Sequence, residues 1–251
     1  MAATDAETFD VAIAGAGIFG LAVARAAIAA GLKVVVLEKS HVGAGSSGGV
    51  LGALMPHMPA RWNPKKEFQF QALLCLEDRI RQLESQTGLS CGYHRCGRIL
   101  PLTTNDKLEH HLERAEESKL RWQPQETGFS YVVEPAGSRS DWLDAKAAPF
   151  GIVYETLAAR ISPRAYLASL ASFVRQNGSL REGVEAVGYD DATQTVLLAD
   201  GHAPVKTRQF VVSGGFAAFD LIETLTDERI GRGEKGQALV LEGKGLEDRP
   251  A

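Results

Sequence analysis

The sequence is poor in cysteine and in long apolar runs, and each shortage closes off a class of protein. Cys75, Cys91 and Cys96 are three cysteines with no C-x-x-C spacing, so neither a disulfide framework nor a thiolate metal site follows from them. Three reduced thiols in a cytoplasmic protein are the plain reading, and a Cys91–Cys96 disulfide stays open beside it. No apolar run approaches the roughly 20 residues that span a bilayer, and the Ala-rich stretch near the N-terminus is broken by Arg25. A basic segment leading into an apolar core and a cleavage site is also missing, so the expectation is a cytoplasmic chain without a secretion signal or membrane span. Positive charge is not in excess either. The net charge of −4 gives no reason to expect nucleic-acid binding. The six histidines are scattered. The adjacent His110 and His111 point about 100° apart on a helix, so they read as solvated surface and no metal is expected.

What is present is enough for a folded core. At 251 residues, with 45% hydrophobic and 23% charged residues, the chain can form one large domain or two small ones.

The most informative stretch runs from Phe9 to Glu38. A β-rich run, Asp10 to Ala14, leads into Gly15, Gly17 and Gly20 at G-x-G-x-x-G spacing. An Ala-rich helix from Ile18 to Ala30 follows, then Gly31 as its C-cap, then a strand from Lys33 to Leu37 that ends in Glu38. The glycines differ in purpose. Gly15 allows a tight turn, Gly17 removes a side chain that would block a diphosphate, and Gly20 lets helix and strand approach closely. The helix N-terminus adds free N–H groups and partial positive charge. Glu38 stands where a carboxylate accepts hydrogen bonds from ribose hydroxyls, and its charge disfavours a 2′-phosphate. These features define a dinucleotide site without deciding between a nicotinamide and a flavin.

Beyond Glu38, the loop from Gly43 to Pro56 has glycine at 43, 45, 48, 49 and 52 and serine at 46 and 47. Ordering such backbone is costly, so its place beside the nucleotide motif predicts close approach to a ligand, with the two hydroxyls as donors. The apolar residues Val50, Leu51, Leu54 and Met55 weigh against a solvated linker. Helical periodicity covers Lys65 to Gln86, with Phe68, Ala72, Leu76, Ile80 and Leu83 near one face. A short strand spans Gly97 to Leu102 and a charged helix Asp106 to Lys119. Residues 121–150 read as loops with short strands. Ser162-Pro163 opens another helix, with the serine as N-cap and the proline at the first position. Strands are expected from Val184 to Tyr189 and Thr195 to Leu198. A buried strand from Gln209 runs into Gly214 and Gly215, and a last strand spans Gly236 to Glu242.

Taken together, the fingerprint, Glu38-Lys39, the Gly43 to Pro56 loop, Ser162-Pro163-Arg164-Ala-Tyr, Gly183-Val184 and Phe210-Val-Val-Ser-Gly-Gly resemble the D-amino-acid oxidase and glycine oxidase superfamily of FAD enzymes. Within it, Ser46 to Pro56 is especially similar to the oxidoreductase module of the bifunctional tRNA 5-methylaminomethyl-2-thiouridine biosynthesis enzyme. The resemblance implies an α/β fold: a Rossmann-like FAD-binding domain from residues 1–90 and 151–225, and an incomplete α+β substrate domain from 91–150 and 226–251. By matching position, Gly15, Gly17, Ile18, Phe19 and Gly20 meet the pyrophosphate end, Glu38 the ribose and Lys39 the adenine end. Ser46 and Ser47 bind phosphate, and Gly49, Leu51 and Gly52 line the isoalloxazine. Val184 meets adenine through its backbone, and Ser213 and Gly214 lie near the ribityl or pyrophosphate.

The resemblance further implies oxidation of the C–N bond of a small amino acid or secondary amine by hydride transfer to flavin. No side-chain base is required, and an arginine holds the substrate carboxylate, though no particular arginine is singled out. Two other functions stay open: oxidation of a modified tRNA uridine, and a flavoprotein without turnover. The second arises because family members continue into a further segment facing the flavin, which this sequence does not include. His57, just after the flavin-facing loop, either borders the substrate pocket or is an ordinary loop histidine. An oligomer is left open.

Overall fold

The computed structural model describes residues 7–239 and 250. In chain order the N-terminal part holds β1 (Thr8–Ala14), α1 (Ile18–Ala29), β2 (Val34–Glu38), β3 (Ala53–Leu54) and α2 (Pro64–Thr87). The middle holds β4 (Arg98–Pro101), α3 (Asn105–Trp122), α4 (Pro124–Thr127), β5 (Tyr131–Glu134), β6 (Ile152–Glu155) and β7 (Ala159–Arg160). The remainder is α5 (Pro163–Asn177), β8 (Ser179–Glu182), β9 (Ala186–Asp190), β10 (Thr195–Leu198), β11 (Val205–Val212) and α6 (Phe219–Thr226).

Two compact units result. The first contains residues 7–51, Leu83–Cys91 and Ser162–Leu239; the described part of the second contains Gly52–Gln82 and Gly92–Ile161. They divide the chain at other positions than the domain limits expected from sequence. Residues 151–161 fall in the second unit because β6 pairs with both β4 and β5, and β7 pairs with β3.

The first unit is built on a six-stranded sheet in the order β8-β2-β1-β11-β10-β9. Its first four strands are parallel, as a dinucleotide fold requires, and β10 and β9 extend it as antiparallel neighbours. The strand β1 is central, with Ala12 and Ile13 fully buried, and Val34, Val35 and Val36 beside it are equally hidden. Such continuous β-branched runs suit strands covered on both faces. Helix α5 begins as its sequence indicates: the Ser162 hydroxyl accepts from the Ala165 N–H at 3.3 Å, and Pro163 occupies the first turn. Its Leu167, Leu170, Phe173 and Val174 are buried.

Three expectations are corrected here. A strand, β8, precedes the one expected from Val184, and it pairs with β2 in parallel; Val184 therefore lies in the connection between β8 and β9. The Gln209 strand starts earlier, at Val205, and its last three residues, Phe210 to Val212, are half-buried rather than buried. Gly236 to Leu239 form no strand, and residues 240–242 of that expected element lie outside the described residues.

The second unit packs α3 against the antiparallel sheet β4-β6-β5. Its core holds Phe70, Leu73, Leu102, Trp122, Tyr131, Val153 and Leu157, with the Phe70 and Trp122 rings stacked at 6.0 Å. On α2 the inward stripe is Phe70, Leu73 and Ile80, whereas Phe68 is 78% exposed. A stripe stepped by four from Phe68 drifts around the helix axis, and steps of three and four from Phe70 hold one face.

His111 is likewise not solvated surface. Its Nδ1 lies 2.6 Å from the Tyr131 hydroxyl, which also reaches the Met58 sulfur at 3.2 Å. Burial, reinforced by the cationic Arg114, His110, Lys107 and Arg98, lowers the His111 pKa to about 4. The Tyr131 phenol, also buried, is pushed up to about 12. Unfolded histidine takes up its proton near 6.5. The stability contributed by neutral His111 is therefore whole above that pH and is lost as pH falls toward about 4. Urea unfolding followed across this window is expected to show falling stability that His111→Gln flattens; equal slopes in both proteins would contradict this reading.

Candidate functional site

The candidate site lies at the C-terminal ends of β1 and β2, where the chain turns from β1 into α1. Hydrogen bonds from the Gly15 N–H to the Leu37 carbonyl (2.8 Å) and from the Ser213 N–H to the Ala14 carbonyl (2.8 Å) join three strand ends around this turn. Gly15 has φ of +108°, and a Cβ there would lie 2.7 Å from the Gly214 Cα. Conformation and space both demand glycine. At Gly20 a Cβ would stand 2.0 Å from the Gly15 carbonyl oxygen and 2.6 Å from the Ser213 hydroxyl. Gly17 is different. An added Cβ meets only the Ser47 side chain, its hydroxyl at 3.1 Å. The chain's own packing does not require glycine there, and the bare face is free for a ligand.

Glu38 ends β2, as expected, and its carboxylate is tied to the main chain. One oxygen accepts from the Ala16 N–H at 2.8 Å and the other from the Ser40 N–H at 2.9 Å. Two bonds leave lone pairs on each oxygen for ribose hydroxyls. Lys39 is exposed and forms an ion pair with Glu185 at 2.7 Å, which raises the lysine pKa. Val184 donates its N–H to the Glu38 carbonyl at 2.9 Å, and its buried side chain packs with Phe9, Val35 and Leu37.

The Gly-rich loop is ordered by contacts along its length. The Val42 N–H donates to Glu182 (2.8 Å) and the Gly43 N–H to the Ala16 carbonyl (3.1 Å). Ser46–Gly48 make one 3₁₀ turn. The Ser47 hydroxyl accepts from the Ile18 N–H at 3.1 Å, so it caps the first turn of α1. The Arg164 Nε donates to the Gly48 carbonyl at 2.8 Å. Bonding to Val42, ahead of the nearby Arg175, holds the Glu182 carboxyl below its usual range.

Of the residues singled out from sequence, Gly15, Gly17, Ile18, Gly20, Glu38, Ser47, Ser213 and Gly214 gather around the glycine turn. Ser213 turns its hydroxyl to the Ala14 carbonyl at 3.1 Å, so it braces the turn from behind. Phe19 and Leu51 are 79% and 77% exposed, and Ser46 and Gly49 are exposed on the loop. Gly52 belongs to the second unit, where a Cβ would lie 2.0 Å from the Ile161 carbonyl oxygen. His57 is an exposed loop residue whose N–H donates to Gln69 at 2.7 Å. Glu182 and Arg164 are absent from that set. For Arg164 a signal existed, a cation in the first turn of a helix where the dipole disfavours it.

All three cysteines are free. Among the described residues no group of three or more His, Cys, Asp or Glu side chains is placed to hold a metal ion. No described helix is long and apolar enough to cross a membrane.

Parallel strands with a glycine turn at their C-terminal ends, an open face at Gly17 and a carboxylate at the end of β2 define a dinucleotide-binding domain. Residues 10–251 match the family described as DAO, FAD dependent oxidoreductase, and the chain belongs to that family. Its fold is similar to glycine oxidase from Geobacillus kaustophilus (TM-score 0.73, 20% identity), covering 86% of this chain and 57% of that one. It is similar too to L-amino acid deaminase from Proteus vulgaris (TM-score 0.70, 19% identity; 90% of this chain, 51% of the other). A third such structure is iminodiacetate oxidase from Chelativorans sp. BNC1 (TM-score 0.68, 20% identity; 86% and 57%). Among curated proteins, the tRNA 5-methylaminomethyl-2-thiouridine biosynthesis bifunctional protein MnmC of Chromohalobacter salexigens is 34% identical over 97 residues, 39% of this chain and 13% of MnmC. The chain thus spans little more than half of these solved structures.

The cofactor of this family is FAD, and the residues present fit it. Gly17 leaves open the space that a side chain would fill, α1 directs its N-terminus there, and Glu38 has acceptor capacity left at the end of β2.

Proposed function

We propose that the protein to which this chain belongs oxidises the C–N bond of a small amino acid or secondary amine by means of FAD. The open glycine face at Gly17, in a chain of this family, carries the reading. Three fold neighbours named for glycine, L-amino acids and iminodiacetate support the substrate class. FAD, when bound, supplies a hydride acceptor for the carbon next to an amine. The chain's own contribution is binding and orientation. Gly15, Gly17 and Gly20, with Ile18 and Phe19 at the start of α1, receive the diphosphate. Glu38 takes the ribose and Lys39 the adenine end, where the Val184 backbone also lies. Ser46 and Ser47 serve the phosphates, Gly49 and Leu51 the flavin end, and Ser213 and Gly214 keep the turn in shape. The first unit is then the FAD-binding part, and the second contributes to substrate binding. Free thiols fit a reducing cytoplasm.

Anaerobic mixing of the FAD-loaded protein with glycine, sarcosine, proline or D-alanine tests this. Loss of the visible flavin absorption with one of them is expected. A yellow protein that none of them bleaches would reject amine oxidation and favour a flavoprotein without turnover. Oxidation of a modified tRNA uridine is a second reading, supported by the local identity to MnmC and opposed by the net charge of −4. Bleaching by modified tRNA alone would select it.

A further inference from the structure

Arg164 occupies the first turn of α5 with no acidic residue in that turn. A cation is disfavoured there by the helix dipole, and among the described residues no carboxylate pairs with it. Among the described residues its side-chain bond runs from Nε to the Gly48 carbonyl at 2.8 Å. That carbonyl belongs to the last residue of the turn whose middle residue, Ser47, accepts from the Ile18 N–H at 3.1 Å. The turn already lies tight against the backbone before it, since a Cβ at Gly48 would stand 2.1 Å from the Gly43 carbonyl oxygen. The guanidinium therefore ties the last residue of the turn to the start of α5.

We propose that Arg164 is a positioning residue for the cofactor: by fixing Gly48 it keeps Ser47 seated on α1 and sets the Gly-rich loop in its cofactor-accepting form. This rests on the reading of the site as an FAD cradle. Arg164 acts through the loop, so it needs no contact with FAD. Its charge, unbalanced by any carboxylate among the described residues, also raises the positive potential beside a loop assigned to phosphate. A lysine can donate to the same carbonyl, although without the fixed planar geometry of arginine.

Two measurements on the whole chain test the assignment. Titration with FAD is expected to show binding about tenfold weaker in Arg164→Ala, as befits loss of a charge-assisted hydrogen bond, with recovery in Arg164→Lys. Amide hydrogen exchange without cofactor is expected to quicken at Ile18 and Gly49 in Arg164→Ala and to stay unchanged in β1. Unchanged exchange at those two amides overturns the proposal whatever the affinity, and so does wild-type affinity in Arg164→Ala. Should wild-type protein take up no FAD while exchange still quickens in the variant, the latch stands and the FAD reading fails.

Discussion

Alanine at Gly20 is expected to destabilise the first unit by about 3 kcal/mol, the upper end of what forcing one carbon into filled space usually costs. Its Cβ would stand 2.0 Å from the Gly15 carbonyl oxygen, a backbone atom that cannot swing aside. The Ser213 hydroxyl, at 2.6 Å, would have to leave the Ala14 carbonyl as well. Relief requires α1 to back away from β1, and that movement breaks the turn the site is made of. Urea unfolding with FAD titration reads both consequences. Gly17→Val is the contrasting variant. The new Cβ meets only the Ser47 side chain, its hydroxyl at 3.1 Å, and no backbone atom, and the extended backbone of Gly17 accepts any residue. Stability close to wild type with FAD binding abolished is expected there. Native affinity in Gly17→Val would refute the placement of diphosphate against this glycine, and wild-type stability in Gly20→Ala would refute the packing role.

Removing Arg98 is expected to cost the second unit about 3 to 5 kcal/mol, the penalty for stripping the partner from a buried charge. Glu155 is completely buried. One of its oxygens accepts from the Leu157 and Ala158 N–H groups, at 2.8 and 2.9 Å. The other faces the Arg98 Nε at 3.1 Å, off the line of a hydrogen bond, so the contact is an ion pair. Burial already raises the Glu155 pKa against the opposing pull of those N–H groups and of Arg98. In Arg98→Met one of the lowering influences is lost and the pKa climbs further. A carboxyl raised above its unfolded value binds a proton more readily when folded. The variant should therefore regain stability as pH falls through that raised value, the reverse of the His111 effect. Glu155→Leu in the Arg98→Met background is not expected to restore the wild type, because two buried N–H donors would be left without an acceptor. Urea unfolding at several pH values decides the matter, and an Arg98→Met protein as stable as wild type near neutrality would show that the pair contributes nothing.

Much of the candidate site was legible because its signals are local. The spacing of Gly15, Gly17 and Gly20, the apolar run into Glu38 and the Ser162-Pro163 helix start each describe chain within a few residues of itself. Local patterns also misled. The α2 stripe looked inward at Phe68 because one or two steps of four fit a helical face nearly as well as mixed steps, and only over the 24 residues of α2 does the drift around the axis carry Phe68 outward. His111 looked solvated because its polar neighbours in sequence gave no hint of Tyr131. Ser179–Glu182 is too short and too polar to announce itself, yet it pairs with β2 because two parallel strands already offer it an open edge.

What the sequence determined alone was the βαβ unit with its acid: glycine conformation, hydrophobic period and helix capping act over a few residues and need no knowledge of the rest. Tertiary structure alone decided which distant groups meet. Gly214 against Gly15, Arg164 on Gly48 and Arg98 beside Glu155 join positions far apart along the chain. Such meetings depend on strand order and register, which arise when the whole chain closes on itself and leave no mark in the spacing of neighbouring residues.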